Sequence, residues 1–211
     1  MNRVLIIAAA LLGVIVVVSI AWRYLSRVGS LPCPSWLAWT LELNHMEKHG
    51  GQSATIDALE LAAGMRVADV GCGPGRLTFR IADRVGPDGE VVAVDIQQKM
   101  LARLERRTVE NGVSNVRPLL AGAGEGKMPR EHFDRALLVT VLGEIPDREN
   151  ALREIHGALK RDGVLVITEI LGDPHYQRLK TVRALAETTG FEIGTIRNKT
   201  FSYTVQLHKK G

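Results

Sequence analysis

The sequence predicts an α/β protein in which a doubly wound, mostly parallel sheet is preceded by one transmembrane helix. From residue 65 onward, short β-branched runs alternate with helical patterns, which is typical of a parallel sheet covered by helices on both faces. Glycines cluster at 71–75, directly after the first of these runs, and a helical pattern begins at once. Near the N-terminus, segment 4–22 contains no charged residue.

The N-terminal segment 1–28 is predicted to be a membrane anchor. At about 1.5 Å per residue, an uncharged helix over 4–22 nearly spans a hydrocarbon core of ~30 Å. Trp22 and Tyr24 stand where an aromatic belt is expected. A cleaved signal peptide is the alternative, but the apolar run is long for one and no clean cleavage site follows it. We therefore expect an uncleaved anchor.

A connector over 29–51 is predicted to contain an amphipathic helix. Pro32 and Pro34 end the anchor helix, and Ser35 can cap the next helix. Its apolar face either packs on the following domain, or lies at the membrane interface and closes over the active site. The apolar positions recur three and four residues apart and are Trp36, Trp39, Leu43 and Met46.

The remaining segment, 52–211, is predicted to be one folded domain. The chain of 211 residues has room for a single α/β domain and a short extension. The predicted elements are a helix at 53–64, a strand at 65–70, a helix at 77–85, a strand at 90–94, a helix at 99–111, strands at 115–120 and 135–140, a helix at 148–159, a strand at 164–169, a helix at 173–190, and strands at 191–196 and 202–207.

Composition restricts the partners of this domain. The formal net charge is +4 and the pI is about 9.3, so the basic excess is small. Arginines and aromatic residues do not interleave as they do on nucleic-acid surfaces, so we expect no nucleic-acid partner. The excess of basic residues either lies on a surface that faces solvent or attracts anionic lipid. Cys33 and Cys72 lack metal-ligand spacing, so we expect reduced thiols and no metal.

The glycine spacing indicates the kind of ligand. A dinucleotide fingerprint, G-x-G-x-x-G, would need a third glycine where this chain has Arg76; instead the glycines are Gly71, Gly73 and Gly75. Asp69 precedes them, and a carboxylate there would repel a pyrophosphate but suit a cationic ligand. S-adenosylmethionine (SAM) carries an ammonium and a sulfonium group and no phosphate. The pattern therefore favours SAM over NAD(P).

The stretch D-V-G-C-G-P-G at 69–75 resembles motif I of the class I SAM-dependent methyltransferases. V-V-A-V-D-I at 91–96, F-D-R-A at 133–136 and L-K-R-D-G at 159–163 resemble the branch of that family that methylates small molecules, quinones and lipids. The resemblance covers about 56–207. It implies a Rossmann-like sheet of seven strands with the last antiparallel, and SAM as the cofactor.

The resemblance also implies a set of cofactor-binding residues at the carboxyl ends of the strands. Asp95 lies 20 residues beyond Gly75, where an acidic side chain accepts hydrogen bonds from ribose hydroxyls, although it could instead cap a helix. Ile96 would lie against the adenine. The full predicted set is Asp69, Gly71, Cys72, Gly73, Gly75, Asp95, Ile96, Ala123, Gly124 and Thr140.

One position departs from the family pattern. Related methyltransferases place an aspartate where this chain has Ala123, and that carboxylate takes a hydrogen bond from the adenine amino group. Three outcomes are open: backbone groups of Ala123 and Gly124 hold the adenine, Glu125 substitutes, or the affinity is lower.

Three residues are candidates for catalysis. Glu144 follows the fourth strand, where the resemblance puts the transferring methyl; it could be a general base, a ligand for a cationic substrate, or a neighbour of a helix cap. His175 and Tyr176 follow the fifth strand, at the sheet edge where open α/β sheets bind ligands. A base is needed only if the acceptor must first lose a proton.

These features predict a membrane-anchored methyltransferase that transfers a methyl group by in-line displacement to a small hydrophobic or lipid-like acceptor, such as a quinone precursor, a phospholipid headgroup or a polyisoprenoid. Because SAM is made in the cytosol, the catalytic domain should face the cytoplasm. The alternative is a membrane-tethered scaffold or sensor that binds SAM without catalysis, suggested by Ala123 and by the absence of a certain base. An NAD(P)-dependent oxidoreductase is disfavoured by the glycine spacing.

Overall fold

The computed structural model of the chain describes residues 52–210 and the isolated positions 13, 14, 17, 21 and 24. Within that part of the chain, no helix is both long enough and apolar enough for a membrane span. Most of the predicted anchor and all of the predicted connector fall outside the described residues, so both stay predictions.

Seven strands and five helices are described. In chain order they are α1 (Gln52–Leu59), β1 (Arg66–Val70), α2 (Thr78–Val85), β2 (Glu90–Asp95), α3 (Gln98–Glu110), β3 (Val116–Leu120), β4 (Phe133–Val139), α4 (Arg148–Ala158), β5 (Leu159–Ile170), α5 (Leu179–Thr188), β6 (Phe191–Lys199) and β7 (Ser202–Lys209). A 3₁₀ turn, Leu142–Glu144, lies between β4 and α4.

The strands form one sheet in the order β3-β2-β1-β4-β5-β7-β6. Five neighbouring strands pair in parallel, whereas β7 pairs antiparallel with both β5 and β6. The predicted doubly wound sheet of seven strands, with the last antiparallel, is confirmed. The strand order reverses between β1 and β4, and the crevice at such a reversal is where open α/β sheets bind ligands.

Helices cover both faces of the sheet, because strand residues alternate between two apolar clusters. On one face, α1, α2 and α3 pack through residues such as Leu59, Ile81 and Leu104. On the other face, α4 and α5 pack through residues such as Ile155 and Val182. Burial on both faces explains why the central strands consist of nearly continuous apolar runs.

Three boundaries differ from the sequence-based prediction by five residues or more. The first helix ends at Leu59 and not at residue 64, because Glu60 takes a left-handed conformation with φ 48°. β5 begins at Leu159, five residues earlier than predicted, because its first residue already pairs with Phe133.

The helix predicted at 173–190 begins only at Leu179. The backbone N–H of His175 donates to Oδ1 of Asp173, and that of Gln177 donates to Oε2 of Glu169. Because side-chain carboxylates take these N–H groups, residues 171–178 form a loop, which we call the β5–α5 loop.

Candidate active site

A cleft of about 210 Å³ opens at the carboxyl ends of the central strands. We call the lining residues at or after the carboxyl ends of β1, β2 and β3 its β1–β2 half. Those at or after the carboxyl ends of β4 and β5 are its β4–β5 half. The β1–β2 half is lined by Val70, Gly71, Cys72, Gly73, Pro74, Arg76, Asp95, Ile96, Gln97, Met100, Ala121, Gly122 and Ala123. The β4–β5 half is lined by Val139, Thr140, Val141, Glu144, Ile145, Pro146 and Asp173.

The glycine loop after β1 brings bare backbone to the cleft. Gly71 has φ 74°, and a Cβ on it would overlap the side chain of Val141. The N–H groups of Gly71 and Cys72 both donate to the carbonyl of Val94, at 2.8 and 3.1 Å. These two hydrogen bonds hold the loop close to β2. A side chain at residue 71 would disfavour the positive φ and would clash with Val141, which follows β4, so only glycine fits this position. Gly75, with φ 88°, packs behind this loop against Leu104 and does not line the cleft.

Asp95 links β2 to the glycine loop. Its Oδ2 accepts the N–H of Gly73 at 2.9 Å and its Oδ1 accepts the N–H of Gln97 at 2.8 Å. Burial raises the pKa of this carboxyl, and the two N–H bonds oppose the rise. Each oxygen keeps a further lone pair, so the carboxylate is oriented and can still accept a ligand hydroxyl.

Asp69 lies behind the glycine loop and does not line the cleft. Its carboxyl is 5% exposed and accepts a hydrogen bond from the Thr78 hydroxyl at 2.6 Å. Burial raises its pKa to about 6, against the lowering effects of Thr78 and Arg76. Asp69 therefore fastens the start of α2, and any action on a ligand would pass through the loop or through Arg76.

Arg76 is a cleft residue that the sequence analysis did not include in its site. Arg76 lines the β1–β2 half and is partly buried. Burial lowers its pKa, and the neighbouring Asp69 counteracts this. The loop therefore presents a positive charge to the cleft, backed by a carboxylate, which is suited to an anionic group on the ligand. The sequence did offer a signal for including Arg76 in the site, because Arg76 directly follows the third glycine of the loop.

Ile96 and the loop after β3 form the far wall of the β1–β2 half. Ile96 is 55% exposed, a large apolar side chain facing open space in the cleft. A Cβ on Gly122 would come within 2.9 Å of Oε1 of Glu125 and 3.2 Å of Cγ2 of Ile96. The Glu125 carboxylate, which also pairs with Lys127 at 2.8 Å, thus folds back over Gly122 beside Ile96.

Gly124 does not serve as a backbone donor to the cleft. Its N–H donates to Glu154 on α4, and its carbonyl accepts the side-chain amide of Asn150 at 2.8 Å. Both of its backbone groups are therefore engaged by α4, and Gly124 is not among the lining residues. Ala123 does line the cleft. Glu125 does not line the cleft either, so the backbone of Ala123, the Glu125 carboxylate and a lower affinity all stay open at this position.

The β4–β5 half begins with a strained residue. Thr140 lines the cleft with φ 58°, a left-handed conformation that β-branched residues rarely adopt. Its N–H donates to the carbonyl of Thr168 at 2.9 Å, and its hydroxyl donates to the carbonyl of Val139 at 2.7 Å. Strain of this kind costs about 1–3 kcal/mol and clusters at active sites.

Two carboxylates line the same half. Glu144 ends the 3₁₀ turn and Asp173 belongs to the β5–α5 loop, and apolar walls are provided by Val139, Val141 and Ile145. Of the three residues predicted for catalysis, Glu144 is the one that lines the cleft. Asp173 was missed, although it stands two residues before the predicted His175.

The described structure turns His175 and Tyr176 away from the cleft. His175 is 6% exposed, and its carbonyl accepts the side-chain amide of Gln177 at 2.7 Å. The Tyr176 ring packs edge-on against Tyr203, with centroids 6.1 Å apart. Neither lines the cleft. The prediction placed them correctly at the carboxyl end of β5 but could not give the direction of their side chains.

Comparison with known proteins identifies the family. A family described as a methyltransferase domain matches residues 61–203. The chain belongs to this methyltransferase family. S-adenosylmethionine is the cofactor of its class, and the fold and glycine loop described above are those of a SAM-dependent methyltransferase.

Curated relatives of this methyltransferase include ubiquinone/menaquinone biosynthesis C-methyltransferases. The protein from Ectopseudomonas mendocina is 37% identical over 116 residues, which cover 54% of this chain and 45% of that protein. The protein from Pseudomonas fluorescens is 38% identical over 116 residues, which cover 53% and 45%. The chain thus matches less than half the length of these relatives.

Solved structures share the fold at low sequence identity. A SAM-dependent methyltransferase from Aquifex aeolicus has a TM-score of 0.78 at 19% identity and covers 83% of this chain and 98% of its own. A phosphoethanolamine N-methyltransferase from Haemonchus contortus, in complex with phosphomonomethylethanolamine and S-adenosylhomocysteine, has a TM-score of 0.67 at 17% identity and covers 77% and 53%. The [4+2]-cyclase SpnF has a TM-score of 0.69 at 18% identity and covers 75% and 80%. The same fold therefore carries more than one kind of reaction.

Proposed function

We propose that this methyltransferase moves a methyl group from SAM to a small apolar acceptor of the quinone-precursor type, at a membrane surface to which its N-terminal segment anchors it. The observation that carries the proposal is a cleft with two unlike halves. The β1–β2 half offers backbone, a guanidinium and an oriented carboxylate, and the β4–β5 half is apolar with two carboxylates.

The β1–β2 half fits the chemical groups of SAM. Gly71 lines the cleft without a side chain, because Val141 fills the place of a Cβ, so a ligand there would meet bare backbone. Asp95 can accept ribose hydroxyls, the exposed face of Ile96 can cover the adenine ring, and Glu125 can accept its amino group. Arg76 suits the carboxylate of the methionine part.

The β4–β5 half fits the acceptor. When bound, SAM supplies a methyl group on a positively charged sulfur, and the electron pair of the broken carbon–sulfur bond stays on sulfur. Val139, Val141 and Ile145 would hold an apolar acceptor in line with that bond and exclude water. Such positioning supplies ~7–11 kcal/mol in favourable cases. The acceptor atom that gains the methyl loses one proton, and we assign its receipt to Glu144, one of the two carboxylates that line this half.

The quinone-type acceptor is suggested by the relatives. Ubiquinone/menaquinone biosynthesis C-methyltransferases match the chain at 37–38% identity, although over only 45% of their length. A ring acceptor with a long apolar tail would be dissolved in a membrane. The uncharged segment 4–22 would hold the domain there, facing the cytoplasm where SAM is made.

A rim beside the cleft suits contact with such a membrane. Leu171 and Phe201 are 54% and 58% exposed, and they lie side by side because the N–H of Leu171 donates to the carbonyl of Phe201 at 2.8 Å. We call this pair the apolar rim. Exposed basic residues near it in the chain suit anionic lipid, and they are Arg178, Lys180, Arg197 and Lys199.

The test begins with calorimetric titration of the full-length protein with SAM and with S-adenosylhomocysteine. We expect micromolar binding that falls about 100-fold in Asp95→Ala, because hydrogen bonds to a charged group contribute ~1.5–3 kcal/mol. Asp83→Ala, an exposed aspartate on α2, is the matched control and should bind as the wild type does. No binding by the folded protein would contradict the proposal.

A binding protein without catalysis is the second candidate. Ala123 leaves the usual adenine carboxylate absent, and the cyclase SpnF illustrates that the fold need not transfer methyl groups. Tight SAM binding without methyl transfer to quinone-type, phospholipid or polyisoprenoid acceptors would favour this scaffold or sensor.

A further inference from the structure

A buried acid lies next to the β4–β5 half and has no part in the mechanism above. Glu169 is the penultimate residue of β5, on the sheet face that α4 and α5 cover, and it is 1% exposed. Its Oε2 accepts the N–H of Gln177 at 3.0 Å. Its Oε1 is buried, and no hydrogen-bond partner for it exists in the described structure. Buried carboxyl oxygens in this condition are rare enough to require an explanation.

Glu169 supports the β5–α5 loop through a single residue, Gln177. Besides the N–H bond to Glu169, the side-chain amide of Gln177 donates to the carbonyl of His175 at 2.7 Å. The carbonyl of Gln177 accepts the hydroxyl of Tyr203, on β7, at 2.7 Å. Gln177 therefore connects the loop to β5 and to β7, and it also bonds to His175 within the loop. Glu169 provides the connection to β5.

The same loop forms part of the cleft. Asp173, four residues before Gln177, lines the β4–β5 half, and its Oδ1 accepts the N–H of His175 at 2.7 Å. The loop rests on the 3₁₀ turn, because a Cβ on Gly143 would overlap the carbonyl of His175 and lie 2.8 Å from Nε2 of Gln177. Movement of the loop would therefore change both carboxylate-bearing walls.

The 3₁₀ turn is held from its other side by α4. The guanidinium of Arg148 donates to the carbonyls of Leu142 and Gly143, each at 3.1 Å. Arg148, Glu144 and Asp173 of the β5–α5 loop all interact electrostatically with Glu169.

We propose that Glu169 is a positioning residue for acceptor binding: through Gln177 it fixes the loop that presents Asp173 to the β4–β5 half. The inference rests on the proposed function in that it assigns the acceptor to this half. Glu169 does not line the cleft, so its effect on the acceptor passes through the loop.

The protonation state of Glu169 controls this support. Burial is the main cause that raises its pKa to about 8; Asp173 and Glu144 contribute to the rise, while the Gln177 N–H and Arg148 oppose it. The phenol of Tyr203 faces it from β7, and Tyr176 and His175 complete the surrounding titratable groups. Near neutral pH the side chain is an uncharged acid. Ionisation would put a third negative charge beside Asp173 and Glu144, and we expect the loop to loosen.

Two variants separate the hydrogen bond from the charge. Glu169→Gln keeps an acceptor for the Gln177 N–H and is uncharged at every pH. Glu169→Leu keeps a similar volume and removes the acceptor. Glu192→Gln, at an exposed position on β6, is the matched control.

The first readout needs no activity. Amide hydrogen exchange of the β5–α5 loop is measured in the full-length protein, relative to an α3 peptide at the same pH. We expect exchange at least threefold faster in Glu169→Leu, and a wild-type increase above pH 8 that Glu169→Gln lacks. An unchanged loop in Glu169→Leu, or an alkaline increase that persists in Glu169→Gln, would overturn the inference.

The second readout separates the acceptor from the cofactor. With a short-chain demethylated naphthoquinol as the acceptor, Glu169→Leu should raise the acceptor KM about 5–10-fold, as the loss of one hydrogen bond predicts, and leave the SAM Kd unchanged. An equal effect on SAM binding would indicate a structural role only and would contradict the assignment. If the wild type does not methylate this acceptor, the proposed acceptor is wrong, and the exchange measurement still tests the loop.

Discussion

The two halves of the cleft are built on opposite principles. In the β1–β2 half, Asp95 has both carboxylate oxygens occupied by backbone N–H groups, and Gly71 sits where no side chain fits. The β4–β5 half contains Thr140 in a strained conformation, Glu144 and Asp173 on its walls, and behind them Glu169 with an unpaired oxygen.

This difference corresponds to what each half must do. A site for one invariant ligand gains affinity from groups that are already oriented, because little order has to be imposed on binding. A site where a methyl group is transferred needs side chains whose charge and position can change during the reaction. Holding such side chains in strained or buried positions lowers the stability of the folded protein. We therefore expect the glycine loop to be the more rigid part of the site, and the β5–α5 loop to be the part that responds to the ionisation of Glu169.

The largest expected effect tests the rigidity of the β1–β2 half. Gly71→Ala adds a Cβ that overlaps Val141 and forces alanine to φ 74°. We expect a loss of about 3 kcal/mol in the free energy of unfolding, together with loss of SAM binding, measured by denaturant titration and calorimetry. Gly112→Ala shares the positive φ, at 63°, but meets nothing within 4 Å, so it should cost only about 1 kcal/mol. Equal losses would mean that close packing at the loop has no importance.

The next effect is the pH dependence of stability that Glu169 gives to the β4–β5 half. The pKa of Glu169 is raised to about 8 in the folded protein, so the folded state binds this proton more tightly than the unfolded chain does. Stability should therefore be full below the ordinary carboxyl pKa and decline as pH rises toward 8. Glu169→Gln should remove about 2 kcal/mol of that decline, measured by denaturant titration between pH 6 and pH 7.5. A decline identical to that of the wild type would show that Glu169 is ionised throughout.

A smaller effect concerns the adenine position, where the rigid half departs from its family. If Glu125 replaces the aspartate missing at Ala123, Glu125→Ala should weaken SAM binding about tenfold, the value of one hydrogen bond to a charged group. Wild-type protein should prefer S-adenosylhomocysteine to S-inosylhomocysteine, which lacks the amino group, and the variant should not. Glu187→Ala, an exposed position on α5, is the control. A preference that survives in Glu125→Ala would assign adenine recognition to other groups.

The smallest effect concerns the apolar rim. Replacing both Leu171 and Phe201 by serine should lower turnover of an acceptor embedded in anionic vesicles about two- to fivefold, because it removes part of the apolar surface available to the bilayer. Turnover of a short-chain acceptor in solution should not change. Val109→Ser, 82% exposed on α3, should affect neither. A loss on both acceptors would mean that the rim acts on the cleft and not on the membrane.

The same contrast explains what could be predicted from the sequence. The alternation of strands and helices, the glycine loop and the position of Asp95 are encoded locally, by apolar periodicity and by glycines at fixed spacing. The antiparallel last strand was predicted only from the resemblance to a family. Most of the predicted cofactor residues line the cleft, among them Gly71, Gly73 and Asp95, whereas Asp69 and Gly75 lie behind the glycine loop. Their role in binding SAM stays a prediction.

The errors lie where long-range contacts decide the backbone. Gly124 was expected to face the adenine, but α4 engages both of its backbone groups through Glu154 and Asn150, about 30 residues away. His175 was expected to face the acceptor, but its direction depends on Gln177 and on the fit of Gly143. No local pattern carries that information, because loops lack the periodicity that orients side chains in helices and strands.

The central claim is that this cleft transfers a methyl group between its two halves. The most direct measurement incubates the full-length protein with SAM labelled at the methyl carbon, together with a bacterial membrane extract, and follows the label. We predict that the label enters an apolar product, that S-adenosylhomocysteine accumulates in equal amount, and that Asp95→Ala abolishes both. SAM binding with no labelled product would contradict the claim and leave a SAM-binding scaffold as the account of this protein.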